Sequence, residues 1–323
     1  MVRAIIVRET GGTDKLKLED VEVGAPGPGQ IRLRSYAIGL NFIDTYQRTG
    51  LYKVPLPFVA GNEGAGEVVA VGPDVTALKV GDRVAYQGAV GAYAEERLLP
   101  AERAVPIPEG ISYEVAAAAI LKGLTAFYLL HWTHALKAGE TILVHAAAGG
   151  TGQILTQWAK AIGATVIATA GSDEKCAIAE KNGADLTINY KTGDFVEGVR
   201  KFTGGKGVDV VYDGVGAATF EPSLDCLRLR GLMVSFGNAS GPVSIPKLTI
   251  LAEKGSLFVT RPTSAGYFRT AEDLRVGAAA LFDVIGAGKV KIAIDQTFPL
   301  ADAAKAHVAL ESRDTTGSSL LLP

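Results

Sequence analysis

Residues 141–163, TILVHAAAGGTGQILTQWAKAIG, constrain this chain more than any other stretch. The apolar opening, Ile142-Leu143-Val144, suits a strand buried on both faces of a parallel sheet. Small residues run from Ala146 to Gly152. Ile154, Leu155, Trp158, Ala161 and Ile162 then recur at helical spacing up to Gly163, which stands where a C-cap belongs. Strand, glycine turn and helix together lay a pyrophosphate on a helix N-terminus. Backbone N–H groups point at the anion there, and a Cβ in the turn obstructs its approach. The pattern is A-x-x-G-x-x-G (Ala146, Gly149, Gly152) rather than G-x-G-x-x-G, so the spacing alone is weak. A strand before it, and a helix and second strand (165–169) after it, supply the context a dinucleotide site needs. Gly149, Gly150, Thr151 and Gly152 are therefore expected to hold a cofactor's phosphates. A plain βαβ turn is the alternative.

The chain's 323 residues exceed the size of roughly 250–300 at which single cores usually split, which predicts two domains. As far as residue 112 it reads as short strands and turns. Residues 4–7 and 16–23 flank Gly11-Gly12 as a hairpin. Ile31, Leu33, Ser35 and Ala37 alternate with Arg32, Arg34 and Tyr36 as a half-exposed strand. Further strands fit 66–71, 82–85 and 92–98, a series that suggests a small, partly open barrel. A helix begins near Tyr113. From Thr141 six strands (141–145, 165–169, 186–189, 208–212, 232–236 and 255–260) alternate with helices, the pattern of a doubly wound parallel sheet. Helices over 271–287 and from Pro299 to Glu311 follow. Residues 318–322 close the chain as a strand that should return to the first domain.

Net charge is −2, so no basic field points to nucleic acid. Cys176 and Cys226 lie far apart with no C-x-x-C pair, which argues against a disulfide framework and a thiolate zinc site. His131 and His134 stand at i, i+3 with no evident third ligand. The N-terminus MVRAIIVRET is too short and too charged for a signal peptide, and no apolar run nears 18 residues. A cytoplasmic protein without membrane contact is expected.

In a doubly wound sheet, ligands collect outside the carboxyl ends of the strands. The second strand ends at Ala170-Gly171, about 20 residues past the glycine turn, where an NAD enzyme places Asp or Glu on the ribose 2′-hydroxyl. This chain has neither at that point. Ser172 and Lys175 follow instead, a hydroxyl and a cation suited to a 2′-phosphate, which favours NADPH over NADH. Asp173 and Glu174 between them leave the strictness of that choice open. The competing reading makes Ser172 a helix cap and Lys175 a solvated first-turn residue. Tyr190, at the end of the third strand, flanks the phosphoribose or adenine, or belongs to the core. Asp213-Gly214-Val215-Gly216 and Phe236-Gly237-Asn238 end the fourth and fifth strands with glycines that admit a ligand to the backbone. Gly171, Ser172, Lys175, Tyr190, Val215, Phe236, Gly237 and Asn238 thus join the candidate cofactor-binding set.

GLNFIDTYQRTGLY, LKGLTAFYLL, HAAAGGTGQILTQWAKAIGA, SLDCLRLRGLMVSFGNASG and VTRP resemble the zinc-independent quinone oxidoreductases of the medium-chain dehydrogenase/reductase superfamily. The similarity runs over the whole chain and is greatest to the bacterial NADPH:quinone reductases related to zeta-crystallin. It implies an α/β architecture of two domains. One is a GroES-like, partly open β-barrel catalytic domain (1–122 and 263–323). The other is a Rossmann NADPH-binding domain (123–262), with the cofactor in the cleft between them. It also implies a homodimer pairing Leu257, Phe258, Val259 and Thr260 across a two-fold, which buries an otherwise exposed β edge.

The positions that carry zinc ligands in the superfamily's alcohol dehydrogenases correspond here to Asn41, Asn62 and Leu121. Amide and alkyl groups cannot replace thiolate and imidazole, so no metal is expected. Hydride then has to pass directly to an acceptor that spreads the developing charge, as a quinone ring does. Asn41 and Tyr46 fit as donors to the quinone oxygen, and Tyr52 as the wall of an aromatic slot. Asn41, Asp44 and Thr125 alternatively bind the nicotinamide ribose. The resemblance also matches Asn41, Tyr46, Lys175, Tyr190 and Arg313 to functional positions, and Arg261 of VTRP joins the cofactor set. The expected reaction is NADPH-dependent quinone reduction. Reduction of activated alkenals and enones is the near alternative. A nucleotide-binding structural or RNA-binding protein is the alternative from another class, and the net charge speaks against it.

Overall fold

The computed structural model describes residues 1–88 and 90–323. They form two compact units: Met1–Leu124, Phe268–Ala287 and Ile292–Pro323 make the first, Thr125–Tyr267 and Gly288–Lys291 the second. The helix Ser264–Tyr267 goes with the second unit rather than the first, because Tyr267 stacks on Tyr128 at 4.7 Å and its hydroxyl accepts from Thr133 at 2.9 Å.

The second unit is built on six parallel strands. Across the sheet they run Leu186–Asn189, Thr165–Ala170, Thr141–Val144, Val208–Asp213, Leu227–Ser235 and Phe258–Thr260. In chain order this is 3-2-1-4-5-6, the Rossmann arrangement. Its central strands are apolar on both faces: Ile142, Leu143, Val210, Val211, Met233 and Val234 are all fully buried. The strand order reverses between Thr141–Val144 and Val208–Asp213. Crossovers leave these two neighbours in opposite directions, which opens a crevice at their carboxyl ends.

The first unit pairs Val2–Val7 with Leu16–Val21 as an antiparallel hairpin and adds Phe58–Val59 on the other side. A larger sheet runs Ile294–Pro299, Ser318–Leu322, Gln30–Gly39, Glu63–Val71, Arg83–Gln87 and Ala104–Pro106, and Glu96–Pro100 also pairs with Gln30–Gly39. In Gln30–Gly39 the alternation holds: Ile31, Leu33, Ser35 and Ala37 are buried, Arg34 and Tyr36 exposed. Ser318–Leu322 does return to this unit, with Leu320 opposite Gly39.

Three features depart from expectation. The strand expected over 92–98 begins only at Glu96, because the Tyr93 backbone bonds sideways to Ile5 and Ala60. The helix Phe42–Thr49 had no apolar stripe to announce it: Asp44, Thr45, Gln47 and Arg48 are its buried residues. Finally, one helical stretch, Tyr113–Thr133, is long and apolar enough to cross a membrane, although no such run was expected. Its alanines and Lys122-Gly123 disguised it. In the structure 78% of its apolar window is buried, and Ala116–Ile120 are wholly so, as in a core helix.

Candidate active site

In the second unit, the turn after Thr141–Val144 is shaped by close packing. A Cβ on Gly152 would run into the Ala146 carbonyl oxygen and lie 2.7 Å from Ala147 Cα, so this glycine lets the helix Gly150–Ile162 sit against the strand end. A Cβ on Gly149 would meet only the Ala146 oxygen, at 3.4 Å, and otherwise faces open space. Ala146 itself takes a left-handed φ of 51°, which costs a non-glycine residue about 1–2 kcal/mol. Gln153 fixes the turn by donating to the Ala148 carbonyl at 2.8 Å. Gly149 is the N-cap, and no side chain caps the helix, so its first N–H groups are presented to whatever lies beyond. The observed cradle fits a pyrophosphate.

At the neighbouring strand end, Gly171 and Tyr190 come together: a Cβ on Gly171 would lie 2.8 Å from the Tyr190 hydroxyl. Ser172 caps the helix Asp173–Lys181, its Oγ accepting the Lys175 N–H at 3.3 Å. The Lys175 side chain is half-buried. Asp173 accepts from the Asn189 amide at 2.8 Å, and hydrogen bonds from its own backbone N–H and from Ser172 hold the Glu174 carboxyl below its usual range. Both acidic side chains thus have local partners.

Asp213 braces the fourth strand end. Its carboxylate accepts from the Val215 and Gly216 N–H groups at 2.7 and 3.2 Å and from Thr219 Oγ1 at 2.9 Å. Gly237 packs directly on the Gly214 backbone, and Ser240 donates to the Val215 carbonyl at 2.8 Å, joining this turn to Phe236-Gly237-Asn238. Arg261 donates to the carbonyls of Ser235, at 2.8 Å, and Gly237, at 3.4 Å. His145 is buried, bridging Thr169 Oγ1 and Ser223 Oγ at 2.7 and 2.8 Å, and burial lowers its pKa. Thr125 is buried near the start of this unit.

In the first unit, Asn41 begins the helix Phe42–Thr49 and its N–H donates to Asp44 Oδ2 at 2.9 Å. Asp44 also accepts from Tyr93 Oη at 2.9 Å and from Asn62 Nδ2 at 2.6 Å. Burial pushes its pKa up to about 6, against the pull of these hydrogen bonds. Both amides at the zinc-equivalent positions therefore present N–H groups to carboxylates: Asn62 to Asp44, and Asn41 Nδ2 to Glu63 Oε1 at 2.7 Å. Glu63, with no exposed surface, also accepts from Lys122 Nζ at 2.6 Å and from the Leu121 N–H at 2.7 Å. A carboxylate already taken by an ammonium and two N–H donors does not suit a metal ion. Among the described residues no group of three His, Cys, Asp or Glu could hold one.

Beyond Asp44 the network continues through Tyr93 Oη to His307 Nε2 at 3.1 Å, from His307 Nδ1 to Arg48 Nη1 at 3.1 Å, and from Arg48 to Glu311 at 2.7 Å. Phe42, Tyr46 and Tyr52 form an aromatic surface, with centroids 6.2 Å apart in the first pair and 5.3 Å in the second. Arg313 follows the helix Ala303–Glu311 in this unit, exposed and at a positive φ of 62°.

Sequence reasoning gave no role to Glu63, Lys122, Tyr93, Arg48 or His307. One signal was available: Glu63 and Lys122 each sit among glycine and apolar neighbours, and such charges are rarely buried unless paired.

Residues 27–109 match the family described as alcohol dehydrogenase GroES-like domain, and residues 150–289 match the zinc-binding dehydrogenase family. The chain is 53% identical to a quinone oxidoreductase of Pseudomonas aeruginosa and 47% identical to a 2-haloacrylate reductase of a Burkholderia species. The first match covers the whole of both chains, the second all of this chain and 99% of the relative. The solved structure of Escherichia coli quinone oxidoreductase complexed with NADPH superimposes with a TM-score of 0.97 at 49% identity, over 99% of this chain and all of the other.

Proposed function

The chain belongs to the zinc-independent quinone oxidoreductases of the medium-chain dehydrogenase/reductase superfamily, and from that membership we propose that it reduces quinones with NADPH by direct hydride transfer. The observation that carries the metal-free reading is the donor set at Asn41 and Asn62, whose amides donate to buried carboxylates. NADPH, when bound, supplies the hydride. We assign the N–H groups of Gly150, Thr151 and Gly152 to its pyrophosphate, and Lys175 with Tyr190 to its 2′-phosphoribose. Gly149, Gly171, Ser172, Thr125, Val215, Phe236, Gly237, Asn238, Arg261 and Arg313 complete the assignment. Asn41 and Tyr46 hydrogen-bond the substrate oxygen or the nicotinamide ribose, and the Tyr46–Tyr52 edge provides the stacking wall. Asp44 acts through Asn41, because its two oxygens already take three protein donors.

Steady-state assays with 1,4-benzoquinone, 9,10-phenanthrenequinone and 2-alkenals test this function. Turnover of quinones is expected, and none would remove the reading. The identity to a 2-haloacrylate reductase favours activated alkenes as the second substrate class.

Lys175→Ala should weaken NADPH binding by about 1.5–3 kcal/mol and leave NADH nearly unchanged, because only the 2′-phosphate offers a charge to pair with. Fluorescence titration with both cofactors measures it, and equal losses would show the assignment wrong.

We also propose a homodimer through the edge strand Phe258–Thr260. Phe258 is 61% exposed there, while Leu257 packs into the core of its own unit. Phe258→Asp should sediment as a monomer, and a monomeric parent would end the idea. A cytoplasmic location accords with two unpaired, buried cysteines, Cys176 and Cys226.

A further inference from the structure

Lys122 carries its charge into the interior of the first unit. The residue is 6% exposed, and among the described residues its ammonium meets one protein acceptor, Glu63 Oε1. An ammonium has three donors. That oxygen also accepts from the Asn41 amide, and the other oxygen of Glu63 takes the Leu121 N–H. The carboxylate is thus shared among three donors, and the cation is held beside Asn41. Burying an ion pair adds little stability over a well-packed apolar pair, so packing alone gives no reason for one here.

We propose that Lys122 is a catalytic residue whose ammonium meets the acceptor oxygen on which negative charge develops. The proposal rests on the quinone-reductase reading and on Asn41 facing the substrate. Hydride transfer breaks the nicotinamide C4–H bond, oxidises NADPH to NADP⁺ and reduces the quinone to the hydroquinone monoanion. A proton from solvent then completes the hydroquinone. Lys122 stabilises the monoanion as it forms, and Glu63 holds the ammonium in place so that little reorganisation is needed.

The test is a series of 1,4-benzoquinones of falling electron affinity, from unsubstituted to tetramethyl, reduced by the parent, Lys122→Met, Glu63→Gln and the double variant. Weak acceptors need the cation most. Lys122→Met should lose about 10-fold in kcat on 1,4-benzoquinone and about 100-fold or more on the tetramethyl compound, steepening the dependence on acceptor potential. Glu63→Gln removes the counter-charge that holds the ammonium, so it should steepen the slope in the same direction as Lys122→Met. The double variant removes both buried charges, so it tests the slope even where Lys122→Met alone does not fold, and it should be steep. NADPH affinity by fluorescence and the melting temperature report the fold independently of turnover. A purely structural lysine would lower all acceptors by one factor. A parental slope in the lysine variants therefore overturns the proposal alone, whereas no quinone turnover by the parent overturns it together with the functional reading.

Discussion

Gly149→Val is expected to fold as the parent does and to bind NADPH at least 100-fold more weakly, a loss of about 2.7 kcal/mol. Gly149 is extended, at φ −76° and ψ 166°, a conformation that valine adopts readily. Its Cβ would find only a carbonyl oxygen at 3.4 Å, so the fold has room for it. The branched side chain would stand beside the first turn of Gly150–Ile162, where an anion has to reach the exposed N–H groups. Gly152→Val should behave in the opposite way. Its Cβ overlaps the Ala146 carbonyl and crowds Ala147, so the protein should lose about 1–3 kcal/mol of stability through overpacking. NADPH fluorescence titrations and thermal melts of both variants separate the two roles. Unchanged NADPH affinity in a folded Gly149→Val would mean that the cofactor does not lie over this turn.

That contrast also shows what the sequence could and could not convey. The parallel sheet was legible because both faces of its strands are buried, leaving uninterrupted runs such as Ile142-Leu143-Val144 between glycine turns. The A-x-x-G-x-x-G spacing marked the turn, yet it could not say which glycine is tightly packed and which faces open space. That depends on where Ala146 places its carbonyl. Ser172 Oγ caps the helix Asp173–Lys181, a role the sequence offers beside that of a phosphate ligand. In the first unit, Asn41 and Asn62 were legible as replacements for metal ligands. The partners that give them meaning were not: Asn41 donates to Glu63, 22 positions on, and Lys122 joins Glu63, while Tyr93 and His307 join Asp44, from further along the chain. Long-range polar contacts leave no periodicity, and Phe42–Thr49 stayed unread for the same reason: its buried face is polar and satisfied from elsewhere.

His307→Gln should change how stability depends on pH. In the network, Arg48 can only donate, so His307 Nδ1 accepts from it and Nε2–H donates to Tyr93, which donates in turn to Asp44. Burial, then the Arg48 charge, lowers the His307 pKa to about 3 from an ordinary 6.5. Between those values the unfolded chain binds a proton that the folded one does not. The stability His307 contributes is therefore complete above 6.5 and lost as pH falls towards 3. Asp44 has the opposite sign: its pKa is raised from 3.8 to about 6, so its contribution is present below 3.8 and lost as pH rises through 6. From about pH 4 to 6 the two slopes oppose each other at about 1.4 kcal/mol per unit and nearly cancel. Glutamine cannot titrate, so the variant keeps only the Asp44 slope. The stability of the parent minus that of the variant should rise by about 3 kcal/mol over this window, and background carboxylates drop out of the difference. Urea unfolding followed by circular dichroism across the window measures it. Parallel curves for the two proteins would mean that His307 is not held neutral in the fold, and that the Arg48-to-Asp44 chain is ordered differently.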